Sequence, residues 1–175
     1  MRQQDTMRMS GMHRLARRLV AFCLLLGLSV SAAEPLHIDI AQTVVKKAVA
    51  EDVSPDDAVE SMKLRANMLN IKLVAELPLS KQIKAMGEQT RRMEIYQFCD
   101  PLTAKKMVEY NIDFAAYLPC RIALVEDAKG KFWLVMMNLD MLIQNPGFDP
   151  ALKKEALRVR DVLTEIMDAG ANGDL

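Results

Sequence analysis

The chain has 175 residues, with 23 Lys+Arg against 23 Asp+Glu, and is 51% hydrophobic, 26% charged and 5% aromatic. That composition excludes intrinsic disorder, collagen-like repeats and a disulfide-dense mini-scaffold, and the length suits one ordinary domain. The zero formal charge argues against nucleic acid as a partner, but it sums segments that do not stay together.

Residues 1–33 read as a secretory leader. Arg14, Arg17 and Arg18 form a basic start, Leu19 to Leu28 supply an apolar run, and Ser31 and Ala33 are the small residues a signal peptidase needs. Cleavage is expected after Ala33, with Ala32 nearly as suitable. An uncleaved anchor is the weaker reading, because the run falls short of the ~20 residues that span a bilayer. Cys23 follows bulky Phe22 inside the run, which disfavours a lipoprotein. Arg17-Arg18 is a pair common to many leaders and does not by itself imply twin-arginine export. Met1, Met7, Met9 and Met12 are all candidate starts.

Cleavage changes the charge. Residues 1–33 hold five Arg and one Asp, so the mature chain keeps 18 basic and 22 acidic residues, a net charge of about −4. Nucleic-acid binding, which needs clustered cations, loses its support. The expected location is the periplasm, with membrane contact only through the leader during export.

Thr43–Val49 reads as a first strand. Ser54-Pro55-Asp56-Asp57 then opens a helix by cap and proline, and Ala58, Val59, Met62, Ala66 and Leu69 mark its buried stripe to about Asn70. Ile71, Leu73, Ala75 and Leu77 alternate on one face of a second strand, which Pro78 ends. A polar connection containing Gly87 leads to a strand over residues 92–98. Asp100-Pro101 starts a short helix with Ala104, Met107 and Val108 turned inward. Leu118 to Val125 alternates as a strand with Leu118, Cys120, Ile122 and Leu124 on its apolar face, and Asp127–Gly130 turns it into residues 131–137. Asp149-Pro150 begins a last amphipathic helix through Leu152, Ala156, Val159, Leu163, Ile166 and Met167, with Gly170 expected to stop it.

The order is βαββαββα, an α+β class with an antiparallel-dominated sheet and helices on one face. Residues 34–145 form the domain, and 146–175 form the C-terminal helix and a short tail. Two segments are distinctive: Glu94-Ile95-Tyr96-Gln97-Phe98-Cys99-Asp100-Pro101, and Tyr117-Leu118-Pro119-Cys120-Arg121-Ile122-Ala123-Leu124-Val125-Glu126 followed by Gly130. With Asp57-Ala58 and Gly87 upstream, this stretch resembles the family called domain of unknown function 302, over about Val44 to Ile143. The resemblance implies a small α+β domain similar to the TATA-binding-protein-like fold, often seen as a dimer, without implying DNA binding. The leader, Cys99 and the extended C-terminal helix depart from the common pattern. No catalytic set is established for the family, so none carries over.

The candidate ligand or thiol site is Cys99, Cys120 and Arg121. Cys120 shares a face with core residues and reads first as a small buried hydrophobe, yet Arg121 beside it offers a cation to an anion. Whether Cys99 and Cys120 form a disulfide depends on topology. If their strands are parallel, about seven strand residues separate them by roughly 20 Å, too far for a bridge; if antiparallel, a bridge can form. Of the nine mature Met, only Met136, Met137 and Met141 suggest a soft-metal site, and core packing is the better account of them. No zinc spacing, haem motif, phosphate loop, nucleophile elbow or Ser/His/Asp set occurs, so no metal, cofactor or catalytic residue is expected. Trp133, Val135 and Met137 are expected to line a sheet face left free of helices. The sequence therefore points to an exported, non-enzymatic module, a homodimer binding a small molecule or a periplasmic protein. The alternative is a thiol-dependent redox or metal-handling protein using Cys99 and Cys120.

Overall fold

The computed structural model of the protein describes residues 39–144 and 149–174. The leader and its cleavage point after Ala33 lie outside the described residues, as does His37. After a 3-10 turn, β1 (Val44–Ala48) leads to α1 (Pro55–Met68), β2 (Lys72–Leu77), α2 (Leu79–Ala85), β3 (Met93–Cys99) and α3 (Pro101–Tyr110). A 3-10 segment (Ile112–Tyr117), β4 (Cys120–Glu126), β5 (Phe132–Met137), α4 (Asp140–Ile143) and α5 (Pro150–Asn172) follow. The five strands form one sheet in the order β1-β5-β4-β3-β2, and every pairing is antiparallel.

The three long helices start as their sequences dictate. Ser54 accepts from the Asp57 N–H at 3.1 Å, Asp100 from Leu102 and Thr103, and Asp149 from Ala151 and Leu152, each with a proline next. The proline has no N–H to orphan at that position, and the cap satisfies donors that the helix cannot.

Strand alternation divides the sheet into two unlike faces. Tyr96, Phe98, Ile122, Leu124, Leu134 and Met136 point to the helices and are nearly or fully buried. They meet Ala58, Met62 and Ala66 of α1 and Leu163, Ile166 and Met167 of α5. Alternate residues on the strands form the other face: Val44 opposite Met137, Lys46 opposite Val135, Ala123 opposite Val135, and Arg121 opposite Gln97. These side chains are half-buried, apart from exposed Lys46 and Arg121. No described helix stripe of the core packs there; this is the open face.

Three local expectations are corrected. Gly170 does not stop α5. It sits buried inside the helix, where a Cβ would lie 2.5 Å from Met62 Cγ and 2.9 Å from the Ala58 carbonyl. The helix instead ends at Gly173, whose φ of 71° supplies the left-handed cap. Ile71, Leu73, Ala75 and Leu77 do not share one face. A register shift between Leu73 and Ala75 leaves Leu73 opposite Phe98 on the helix side and puts Ala75 and Leu77 opposite Gln97 and Ile95 on the open side. The connection after Pro78 contains α2, a seven-residue helix whose only buried residue is Ser80, too short for a periodic stripe to announce it.

Candidate functional site

The topology decides between the two arrangements open for the cysteines. After α3, the 3-10 segment brings the chain back, so β4 runs antiparallel beside β3 and Cys120 stands opposite Phe98, the neighbour of Cys99. Both cysteines are half-buried free thiols. They line a small apolar cavity of about 70 Å³ between the end of the sheet, α3 and α5, walled by Phe98, Met107, Phe114 and Val159 among others. Asp100 and Thr103 sit at its rim, but their polar atoms are engaged. Asp100 caps α3 and pairs with Arg158 of α5, which also donates to Thr103 Oγ1 at 2.9 Å.

Arg121 lies next door, on the open face. Alternation along β4 turns Cys120 toward the core and Arg121 away from it. Arg121 stands at the side of a groove of about 420 Å³ whose other walls include Val44, Ile95, Ala123, Val135 and Met137. Arg121 is the sole charged residue lining this groove, and it makes no ion pair among the described residues. Groove and cavity share part of their lining, Tyr117, Cys120, Leu139 and Leu163. The three residues singled out from sequence are thus brought to two adjoining apolar hollows, Cys99 and Cys120 at the cavity and Cys120 and Arg121 at the groove. Val135 and Met137 line the groove as expected, while Trp133 lies farther along the same face. There its Nε1 donates to Asp127 at 2.9 Å, and Lys46 stacks over its ring at 4.2 Å.

The electrostatics of the thiols follow from this placement. Burial pushes Cys120 up to about 11, the neighbouring Cys99 adds to the rise, and Arg121 offsets only part of it. Burial, then the charge of Asp100, also raises Cys99. Both therefore stay protonated at neutral pH, and a protonated thiol is a poor nucleophile. Labelling of the folded protein with a disulfide-exchange reagent at pH 7 should be slow, faster as pH rises through 9 and above, and immediate for two thiols in denaturant. Rapid stoichiometric labelling at pH 7 would contradict this assignment.

A family model for the domain of unknown function DUF302 matches residues 45–170. The chain belongs to this family. The match runs into most of α5, well beyond Ile143, where the resemblance read from sequence ends. Among solved structures, the chain is similar to an uncharacterised conserved DUF302 protein from Bacillus stearothermophilus, with a TM-score of 0.62 and 19% identity. That similarity covers 73% of this chain and 97% of the other, and at this identity it speaks to the fold alone. No curated protein matches the chain.

In the DUF302 domain the two distinctive segments are β3 with the start of α3, and β4 with its approach, so they form adjoining walls of the groove and cavity. The Leu118–Pro119 peptide bond is cis. Sequence reasoning missed Tyr117 and Leu139 as shared wall residues, because neither lies in a strand and only the long-range β1–β5 and β3–β4 pairings bring them in. It also missed a second polar feature. Glu94 is 5% exposed on the helix side of β3, where it accepts from Tyr96 Oη at 2.6 Å and from an Arg92 terminal nitrogen at 3.0 Å. Burial alone would raise its carboxyl, but those hydrogen bonds and the charges of Arg92 and Lys81 outweigh it and hold Glu94 below the usual carboxylate range. A polar residue flanked by apolar strand positions was the available signal. Met136, Met137 and Met141 do not converge: Met136 faces the helices, Met137 the groove, and Met141 is 49% exposed on α4. Among the described residues, no cluster of His, Cys, Asp and Glu is placed to hold a metal ion, and no helix is long and apolar enough to cross a membrane.

Proposed function

We propose that the protein is an exported, non-enzymatic module that binds a small molecule in the adjoining groove and cavity of its DUF302 domain. The observation that carries this reading is the lining: apolar side chains from β1, β3, β4, β5, α3 and α5, with Arg121 the one charged group that has no ion-pair partner among the described residues, Asp100 being paired with Arg158. Binding clefts are built in this way, with hydrophobic walls and a few placed polar groups for orientation. The groups that could move a proton there, Cys99 and Cys120, are held in their neutral form. Export rests on the basic, apolar and small-residue pattern of residues 1–33. A homodimer is the second reading, supported by the half-buried apolar residues beyond the groove, Met93, Val125 and Trp133. The thiol-dependent alternative rests on the closeness of Cys99 and Cys120, and the labelling rates above test it.

Native mass spectrometry of protein purified from the periplasm tests the proposal in one measurement. The expected species begins at Glu34 and carries a non-covalent small-molecule adduct that leaves on denaturation; its mass also reports the subunit number. A chain recovered with no adduct, or with residues 1–33 retained, overturns the binding or the export part respectively.

A further inference from the structure

We propose that the groove and cavity form one site for an anionic amphiphile, an alkyl chain ending in a carboxylate, with Arg121 holding the carboxylate. This assignment rests on the binding reading above and names the ligand class for that site. Three observations lead to it.

The first is the charge pattern. Arg121 is exposed, unpaired among the described residues, and alone in charge along the groove. No acid lies on the strand positions that form the open face around it. Another cation on that face, Lys46, is already placed over the Trp133 ring. Gln97, directly across from Arg121 on β3, adds an amide donor on the same face. A guanidinium with an amide beside it suits a carboxylate, which can accept two parallel N–H bonds.

The second is size and polarity. The groove of about 420 Å³ lies within the range of small-molecule clefts, and its walls beyond Arg121 include Val44, Ile95, Ala123, Val135 and Met137, with Thr43 and Tyr117 the hydroxyl-bearing residues. A ligand charged along its whole length would leave these walls unused. The third is direction. The groove borders the cavity, with Tyr117, Cys120, Leu139 and Leu163 lining both, so a chain anchored at Arg121 and laid along the groove runs toward the apolar interior. The cavity of about 70 Å³ accepts the chain terminus, and the neutral thiols of Cys99 and Cys120 present soft apolar surface to it.

The test is titration of the mature protein with sodium dodecanoate, below its micelle concentration, and with dodecanol, by calorimetry. The emission of Trp133, the one tryptophan of the chain, provides a second signal. Dodecanoate should bind about tenfold more tightly than dodecanol, the size of one good charge-assisted contact at a partly exposed site. Arg121→Gln should abolish that preference while keeping dodecanol binding. Val135→Asp, on the groove wall, should weaken both ligands about tenfold or more. Equal binding of the two ligands by the wild type, or an unchanged preference in R121Q, overturns the carboxylate assignment and leaves the binding reading standing. Binding that V135D does not alter removes the ligand from this groove, and the binding reading goes with it. Absence of binding by either chain, in protein that still carries a native adduct, overturns the amphiphile class alone.

Discussion

Arg92→Met is expected to destabilise the domain by about 3 kcal/mol at pH 7, the low end for breaking a buried ion pair because the guanidinium is a quarter exposed. The cause is Glu94. Its carboxylate is nearly inaccessible to water, and without Arg92 only the Tyr96 hydroxyl and the more distant Lys81 would support the charge. Asp56, the other partner of Arg92, is mostly exposed and contributes little. The pH dependence gives the effect a signature. In the native protein Glu94 titrates below its unfolded value, so its stabilisation is present above that value and fades as pH falls through the folded one. In the variant, burial raises the group, so the penalty is full above the raised folded value, is relieved as pH falls through it, and is gone below the unfolded value. Denaturant unfolding at pH 7 and pH 4 should therefore show the gap between the two proteins narrowing in acid. A gap that is constant with pH would mean that Arg92 acts through packing, not through Glu94.

Gly170→Ala should cost about 2 kcal/mol, against the direction that helix propensity alone dictates. In an exposed helix interior, alanine is better than glycine by about 1 kcal/mol. Here the added methyl would sit 2.5 Å from Met62 Cγ, 2.9 Å from the Ala58 carbonyl oxygen and 3.0 Å from Leu134 Cδ1. The methionine can yield, but the carbonyl is part of the α1 backbone, and moving it separates α1 from α5. Overpacking of this kind typically costs about 1–3 kcal/mol. Gly170→Leu should give no folded protein, and Gly170→Ser should fall near alanine. A thermal midpoint for G170A equal to or above that of the native protein would overturn the close-approach account.

These two residues show where the sequence was legible and where it was not. Serine or aspartate followed by proline marked the start of α1, α3 and α5, because cap and proline act locally. The buried faces of α1, β4 and β5 followed from period, since each repeats in its own few residues. Gly170 reads locally as a stop, because a glycine near a helix end usually is one. Its contact with Met62, over a hundred residues away in the chain, has no local signal. Likewise the shift in β2 depends on how that strand lies against β3, and no alternation within Ile71–Leu77 reveals it. For the site, Cys99, Cys120 and Arg121 were visible as chemistry but not as a place. Their meeting requires the antiparallel β3–β4 pairing, which follows from the return of the chain through Ile112–Tyr117.

The two outermost strands bear on how copies of this protein can meet. An unpaired strand offers its backbone to a neighbour, and sheets protect such borders with lysines, irregular register and prolines. On β1, Lys46 is stacked over Trp133 and Lys47 is tied to Asp168 of α5. On β2, Lys72 opens the strand, its register slips at Val74, Glu76 is held by Lys63 of α1, and Pro78 closes it. Neither border is a smooth template, so continuing the sheet from one copy into the next is disfavoured, and so is growth into fibres. The borders of the sheet therefore steer self-association away from strand-to-strand pairing.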